Sequence, residues 1–554
     1  MASLSEVLKA LELELGTSIL NVSTIEGGVV VSIEPRALPR AALVMASKGA
    51  RHRMMVASDD REWLGCFSLY YIFGLDDAGQ NVVIHLPLDP DHPVAPSVVD
   101  IVKAVDWYEL EARDLMGIEF EGRYPVPRLI MPETWPEGVY PLRKDVSVEE
   151  LRKYSEPWIS ERIRVEEVEE IVRIPIGPYH PALHEPEYFE LFVRGEKVVG
   201  ARYVGFMVHR GIEKLGERMK YDQVPFIAER ICGICGFVHS TSYCQAVEAA
   251  LGIEVPERAE FIRSIMLEVE RIHSHLLWVG VALHLLGYDT GFMHVWRIRE
   301  RIMRVAEMLS GSRKTYGLNV VGGVRRDFDR DRLEKAVREA EEVGREFAEL
   351  VKISIDVPQV RARLRGTGVL SPGEARAFAV VGPTARGSGI AIDVRKDFPY
   401  AAYKVVKPRV PVYSEGDNLA RTLVRVDEVF ESVELLKQLA DRIPSGSIRG
   451  ELPPSFEPYR IGIGAVEAPR GEVVHMVITG SLTPYRWRVR APTYQNLIAV
   501  PTMLRGVELA DAALTIASID PCFSCTDRAI VINLRRGTVE TVPLRKIVSR
   551  GGKK

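Results

Sequence analysis

Residues 229–239 read ERICGICGFVH, and residues 520–528 read DPCFSCTDR. Each stretch holds a Cys-x-x-Cys pair, Cys232 with Cys235 and Cys522 with Cys525, and about 290 residues separate the pairs. Thiolates are soft donors that select soft or borderline transition metals, and a two-residue spacer on a tight turn or helix start lets both sulfurs face one ion. Two pairs make a four-sulfur cage. Four-thiolate zinc is the default for such pairs in an arbitrary protein. Zinc ribbons, however, close over about 15 to 20 residues, whereas these pairs enclose most of a large domain. Disulfides explain the pattern poorly, because six cysteines in 554 residues are sparse and a reducing compartment keeps such thiols free.

The remaining composition fits a soluble, cofactor-bearing protein. At 554 residues and 46% hydrophobic content the chain is long enough for several domains with deep cores. A net charge of −4 gives no electrostatic case for nucleic acid. The longest apolar run, LLWVGVALHLLGY from Leu276, is interrupted by His284 and falls short of the roughly 20 residues that a membrane helix needs. Any membrane role is therefore expected to run through partner subunits. The opening MASLSEVLKALELEL reads as an amphipathic helix without the basic flank and apolar centre of a signal peptide, and the protein is expected to stay inside the cell. Scarce Asn and Gln beside abundant Arg and Glu point to a thermophilic source.

The pattern along the chain predicts a multidomain protein: an N-terminal α+β domain, then a larger, mainly α domain with a long-helix bundle core and small β elements. Residues 1–145 alternate β-like runs such as GGVVVSIE and NVVIHLPL with helical stretches. They end in Pro-rich loops carrying Arg128, Trp135, Tyr140 and Arg143, a composition that suits either a docking surface or a solvated loop. Residues 146–172 are charged, short of large apolar residues, and read as a linker. The larger domain, 173–528, opens with two β-like runs and continues into helices with apolar residues every three or four positions. In DRDRLEKAVREAEEVGREFAELVK the i to i+4 opposite charges predict a helix with one exposed face. Cys66 and Cys244 stand outside both pairs and read as buried thiols.

RICGICGFVH with DPCFSCTDR resembles the paired signatures of the nickel-iron hydrogenase large subunit, and within it the membrane-associated, energy-converting group typified by formate hydrogenlyase. The tract Asp106 to Asp145, DWYELEARDLMGIEFEGRYPVPRLIMPETWPEGVYPLRKD, is similar to the 30 kDa subunit of respiratory complex I, and the larger domain also resembles its 49 kDa subunit. The resemblance implies reversible cleavage of H2 at a Ni-Fe centre whose iron carries CO and CN ligands. Such cleavage needs a Lewis-acidic metal and a nearby base in a preorganised, water-poor site. Carried over by position, Cys235 and Cys525 bridge nickel and iron, Cys232 and Cys522 bind nickel terminally, and Cys522 is the first proton acceptor.

Further positions match the same pattern. Glu185 in HPALHEPEYF stands where the family passes protons onward, a step open to a buried carboxylate or, on the plainer reading, a surface loop acid. Arg470 in VEAPRGE matches an arginine over the open coordination position, and the alternative is an exposed salt-bridging group. Pro492 and Thr493 in RAPTYQN match the segment that holds a cyanide ligand, or else form an ordinary turn. His239, four residues after Cys235, is placed to hydrogen-bond a cysteine sulfur, or to be a satisfied core histidine. Asp520 is expected to pair with Arg470 or to cap a turn.

Arg528 stands where other members offer a histidine to a third metal, magnesium or iron, and weakens the expectation of that metal. Residues 529–554 resemble the C-terminal extension that a maturation endopeptidase removes after Arg528. In the 30 kDa-like tract, Arg123 and Tyr124 replace a common histidine. With four cysteines used at one site, no iron-sulfur cluster is expected in this chain. The resemblance therefore implies a small subunit with a proximal iron-sulfur cluster, ferredoxin-like subunits, and antiporter-like membrane subunits that hold the protein at the inner face of the cell membrane. HRGIEKLGE, from His209 to Glu217, and GPTARGSGIAIDVRKDFPYAAY, from Gly382 to Tyr403, occur in both branches and locate the fold without choosing the reaction. The competing readings are a metal-free, complex I-like quinone-cavity subunit and a sulfur-compound oxidoreductase.

Overall fold

The computed structural model describes residues 3–123, 128–131, 135–151, 154, 171–177, 180, 185, 187–205, 210–525, 531–533 and 538–540. Most of the linker, the Arg528–Ala529 junction and most of the extension lie outside the described residues, as does the side chain of Cys525. The chain is multidomain with mixed helix and strand, and it divides into two compact units. Residues Met1–Lys214 with Cys522–Lys554 form the first, and Leu215–Pro521 form the second.

The first unit is organised around five strands: β1 (Ile19–Ile25), β2 (Gly28–Ile33), β3 (Arg51–Asp60), β4 (Cys66–Leu75) and β5 (Gln80–Leu88), ordered β1-β2-β5-β4-β3. The β2–β5 pair is parallel and the others are antiparallel. Strands β3, β4 and β5 are buried along nearly their whole length, which is why their sequences carry apolar runs rather than alternation. Helix α1 (Leu4–Leu15) starts at a Ser3–Glu6 capping box and buries Val7, Leu11 and Leu15, while packing against α2 (Leu38–Ser47). Cys66 is half-buried, and burial raises its thiol pKa.

Helix α3 (Asp106–Met116) organises the Asp106–Asp145 tract. Asp114 accepts the backbone N–H groups of Leu129, Ile130 and Met131 at 2.7, 2.8 and 3.2 Å. Glu109 accepts the Val98 N–H, the Ser97 hydroxyl and Arg123 Nη1, and Arg123 also pairs with Asp106. Arg123 thus ties both ends of the helix's first turn. The loop side chains are spent internally: Trp135 donates to the Val139 carbonyl, and the Arg143 guanidinium lies over the rings of Tyr140 and Phe67. A three-stranded antiparallel sheet follows, with β6 (Val172–Ile176), β7 (Tyr188–Arg194) and β8 (Lys197–Val204). Tyr203 stacks on Trp107 of α3, with ring centroids 5.4 Å apart. This sheet, which the sequence assigns to the larger domain, belongs to the first compact unit, and the stacking is one of its contacts there. Of the extension, Val531–Asn533 and Thr538–Glu540 pair as a short antiparallel ladder.

The second unit is dominated by five helices: α4 (Gly236–Leu251), α5 (Glu257–Leu285), α6 (Asp289–Ser310), α7 (Arg330–Ser354) and α8 (Asn418–Arg442). α5 packs on α6 and α8, and α7 packs on α6 and α8, so four long helices close a bundle. α7 buries a stripe from Leu333 through Ala340 and Phe347 to Leu350, and it pairs Arg330–Glu334 and Lys352–Glu349 on its exposed side. Cys244, inside α4, is fully buried, and burial raises its pKa. A three-stranded antiparallel sheet completes the unit: β9 (Ile461–Ala468), β10 (Gly471–Ile478) and β11 (Arg486–Arg490). Among the described residues no helix is long and apolar enough to cross a membrane.

Helix α4 lies directly on β9 because two strand positions are glycine. A Cβ on Gly462 would stand 1.9 Å from the Ala246 carbonyl oxygen, and one on Gly464 would stand 2.0 Å from that of Ser242. The Ser242 hydroxyl also donates to the Gly464 carbonyl at 2.9 Å. Either Gly→Ala change must push the helix off the sheet. Gly464→Ala is expected to destabilise the second unit by about 1–3 kcal/mol, read as a lowered midpoint in thermal unfolding of the purified protein. An unchanged midpoint would mean that the contact is not tight.

Candidate metal centre

The early cysteine pair sits in a turn that ends where α4 begins, with Cys235 at the N-cap position. Both side chains are buried and neither is in a disulfide. The Cys232 sulfur accepts the backbone N–H groups of Ile234 at 3.4 Å and Cys235 at 3.3 Å. Such donors, together with the positive end of α4, favour a thiolate over a thiol. Gly236 is required at the helix start, since a Cβ there would meet the Tyr316 ring at 2.3 Å and the Glu229 carbonyl at 2.5 Å. Glu270, from α5, accepts the next two helix N–H groups, those of Phe237 at 3.0 Å and Val238 at 3.1 Å, as well as the Thr315 hydroxyl. Burial nevertheless pushes its pKa up to about 8. Burial likewise moves Glu229, which accepts the Gly317 N–H, up to about 7.

Arg470 occupies the tight β9–β10 turn, where Ala468 faces Gly471 and Gly471 has φ +125°. Its guanidinium is buried, and each of its three nitrogens donates a hydrogen bond. Nε donates to the Asp520 carbonyl at 2.8 Å, Nη2 to Asp520 Oδ1 at 2.9 Å, and Nη1 to the Ser274 hydroxyl at 3.1 Å. Asp520 itself adopts a left-handed φ of +55°. Its pairing with Arg470, one of the two roles read from the sequence, is present. The segment before Asp520 is held by helices α5 and α8. Trp278 donates to the Ala517 carbonyl at 2.7 Å, and Arg425 donates to the Ser518 carbonyl at 2.8 Å while lying over the Trp278 ring. Burial lowers the Arg425 pKa to about 10. Pro492 and Thr493 are buried in the first turn of a short helix, Pro492–Leu497, whose Asn496 accepts the Val381 N–H at 2.9 Å.

Behind Arg470 lies a buried ionic lattice. Arg386 contacts Glu467 at 2.9 Å and Glu428 at 2.7 Å, and Glu428 also pairs with His275 at 2.7 Å. Arg395 joins Asp393 at 2.7 Å to Glu268 at 3.0 Å. Burial, reinforced by Asp393, raises the Glu467 pKa, whereas Arg386 and His275 outweigh burial and hold Glu428 well below the usual carboxylate range. His239 of α4 reaches His475 of β10 at 3.1 Å, and Trp487 of β11 donates to the far side of His475 at 3.2 Å.

Cys522 and Glu185 belong to the first unit. Cys522 is buried, is not in a disulfide, and stands just before a single 3-10 turn, Phe523–Cys525. Glu185 Oε2 accepts the Ser524 N–H at 2.7 Å, the Ser524 hydroxyl bonds its other oxygen, and Arg210 donates to the Ser524 carbonyl at 2.8 Å. The carboxylate therefore sits on the turn of the late cysteine pair, distant as the two segments are in sequence. Among the described residues, which omit the Cys525 side chain, no three His, Cys, Asp or Glu side chains gather as a metal-holding group. Glu270, Arg425 and His475 escaped the sequence reading. Only a charged run inside a long apolar helical period, EVERIH, and a histidine on an apolar strand, EVVHMV, signalled two of them.

Comparison with known proteins supplies the family. Residues 31–152 match the respiratory-chain NADH dehydrogenase 30 Kd subunit, and residues 286–459 and 455–528 match its 49 Kd subunit. Residues 210–289, which include the early cysteine pair, match the nickel-dependent hydrogenases. The chain is 40% identical to formate hydrogenlyase subunit 5 of Escherichia coli (strain K12), over 94% of this chain and 92% of that protein. It is 41% identical to hydrogenase-4 component G of the same strain, over 90% and 87%. A solved structure of the membrane-bound sulfane sulfur reductase, an archaeal respiratory membrane complex, has a chain that aligns with a TM-score of 0.62 and 32% identity, covering 66% of this chain and all of that one. The chain belongs to the family of membrane-bound, energy-converting nickel-dependent hydrogenase subunits in which complex I 30 kDa-like and 49 kDa-like regions are joined.

Proposed function

We propose that this chain is the catalytic large subunit of a membrane-associated, energy-converting nickel-iron hydrogenase that interconverts H2 with protons and electrons. The observation that carries the reading is near full-length identity of 40% to a formate hydrogenlyase subunit in a chain that keeps both cysteine pairs. The donor set suits the group. Buried, unbridged Cys232 and Cys235, with backbone N–H groups aimed at the Cys232 sulfur, favour thiolates that a soft or borderline metal would take. Together with Cys522 and Cys525 they would hold nickel and iron, the iron with CO and CN ligands. When bound, the centre supplies the Lewis acidity that polarises H2.

The protein's own groups then divide the work. Cys522 Sγ would take the first proton, and Glu185, held on Ser524 of the same turn, would take it onward. Arg470 has a permanently charged fork whose position is fixed by Asp520 and Ser274, and that charge would act on the site without reorganisation. Thr493 offers a hydroxyl for a cyanide ligand, and His239 tunes a cysteine sulfur. Electrons leave through a small subunit and ferredoxin-like subunits, and antiporter-like membrane subunits anchor the complex at the inner face of the membrane. A maturation endopeptidase would release residues 529–554. The likeness to a sulfane sulfur reductase makes reduction of sulfur chains the second reading.

The purified, processed complex is expected to contain nickel and iron and to reduce a dye with H2, whereas Cys232→Ser should lose nickel. A fully loaded zinc site without hydrogen activity rejects the proposal, and polysulfide reduction without H2 activity selects the second reading. Glu185→Gln is expected to retain nickel and lower H2-dependent dye reduction about 100-fold or more. Arg470→Lys should also retain nickel while lowering kcat by about 100-fold. Full activity in either variant would remove that residue from the mechanism.

A further inference from the structure

Three buried rings from three elements form one hydrogen-bonded chain: Trp487 on β11, His475 on β10 and His239 on α4. An indole N–H can only donate. His475 Nδ1, 3.2 Å from Trp487 Nε1, must therefore accept. Burial and the neighbouring His239 hold the His475 pKa well below its ordinary value, so the ring is neutral and carries its single hydrogen on Nε2. That hydrogen lies on the 3.1 Å contact to His239 Nδ1, which makes Nδ1 the acceptor and leaves Nε2 as the ring donor of neutral His239. Nothing in the chain is adjustable. Trp487 is fully buried, Tyr243 meets its ring edge-on, and a Cβ on Gly216 would strike the indole at 2.3 Å.

The geometry points to Trp487 and His475 as positioning residues that set the tautomer of His239, presenting its Nε2–H as a fixed hydrogen-bond donor to a thiolate of the metal centre. This rests on the reading of the cysteine pairs as a nickel-iron site. A neutral donor aimed at a thiolate withdraws charge from the metal without adding a titrating group. The direction of every hydrogen bond follows from the indole, two residues removed from the sulfur it would tune. Neither ring is called on to touch substrate.

The test uses the assembled complex, with nickel and iron measured in every preparation. His475→Leu removes the donor to His239, and Trp487→Phe frees the His475 tautomer. Both are expected to shift the infrared carbonyl and cyanide bands to lower wavenumber and the midpoint potential to more negative values, because a thiolate that loses a hydrogen bond gives more charge to the metal. His475→Gln, whose amide N–H can replace Nε2–H, is expected to return the bands most of the way; nickel kept by His475→Gln and lost by His475→Leu also supports the relay. Bands unmoved in both His475→Leu and Trp487→Phe, or moved as far in His475→Gln as in His475→Leu, overturn it, as does nickel lost equally from both His475 variants. Absence of nickel and of these bands from the unsubstituted complex instead overturns the reading of the centre.

Discussion

The second unit depends on keeping a set of charges out of water without leaving any of them alone. Arg386, Arg395, Asp393, Glu268, Glu428 and Glu467 are buried. They come from α5, α8, β9 and the Gly382–Tyr403 segment, so satisfying them requires all four to be present at once. A buried charge that loses its partner costs about 3–5 kcal/mol, a large share of a domain's net stability. Glu467 lies three residues before Arg470, and the lattice that grips the strand end grips the turn beyond it. Packing, electrostatics and the aim of the guanidinium are one constraint.

A second constraint is distance between backbones. Gly462 and Gly464 let α4 rest on β9, and α4 carries Cys235 at one end and His239 one turn in. The same helix face meets β10, where His475 stands. Helix placement therefore decides both the position of the early thiols and the reach of the histidine. In the first unit a comparable role falls to Glu185, which fastens a loop to the turn of the late pair through two hydrogen bonds to Ser524.

Helices α5, α6 and α7 were legible because apolar residues or opposite charges recur at helical spacing, and strands β2 and β5 because they are short apolar runs. The readings of the cysteine pairs, Glu185 and Arg470 rest on motif resemblance, whereas the contact of Asp520 with Arg470 was legible through charge. Other features were hidden for physical reasons. His475 and Glu270 interact with groups 236 and about 30 residues away, and nothing in a linear window encodes such pairing. The place of the 172–204 sheet in the first compact unit was hidden too, since contacts such as Tyr203 on Trp107 join residues far apart in sequence. Loop residues such as Trp135 and Arg143 read as a docking surface or a solvated loop, and the structure shows their polar atoms spent on neighbours within the chain.

The stretch that leads to the late cysteines is fastened by an indole and a guanidinium, Trp278 to Ala517 and Arg425 to Ser518, with Arg470 gripping Asp520. None of these bonds involves sulfur. In small zinc domains the ion itself drives folding; the order of this stretch rests instead on bonds between protein groups, one indole and two guanidiniums. Loosening α5 or α8 would therefore be felt at once in the chain just before the late pair.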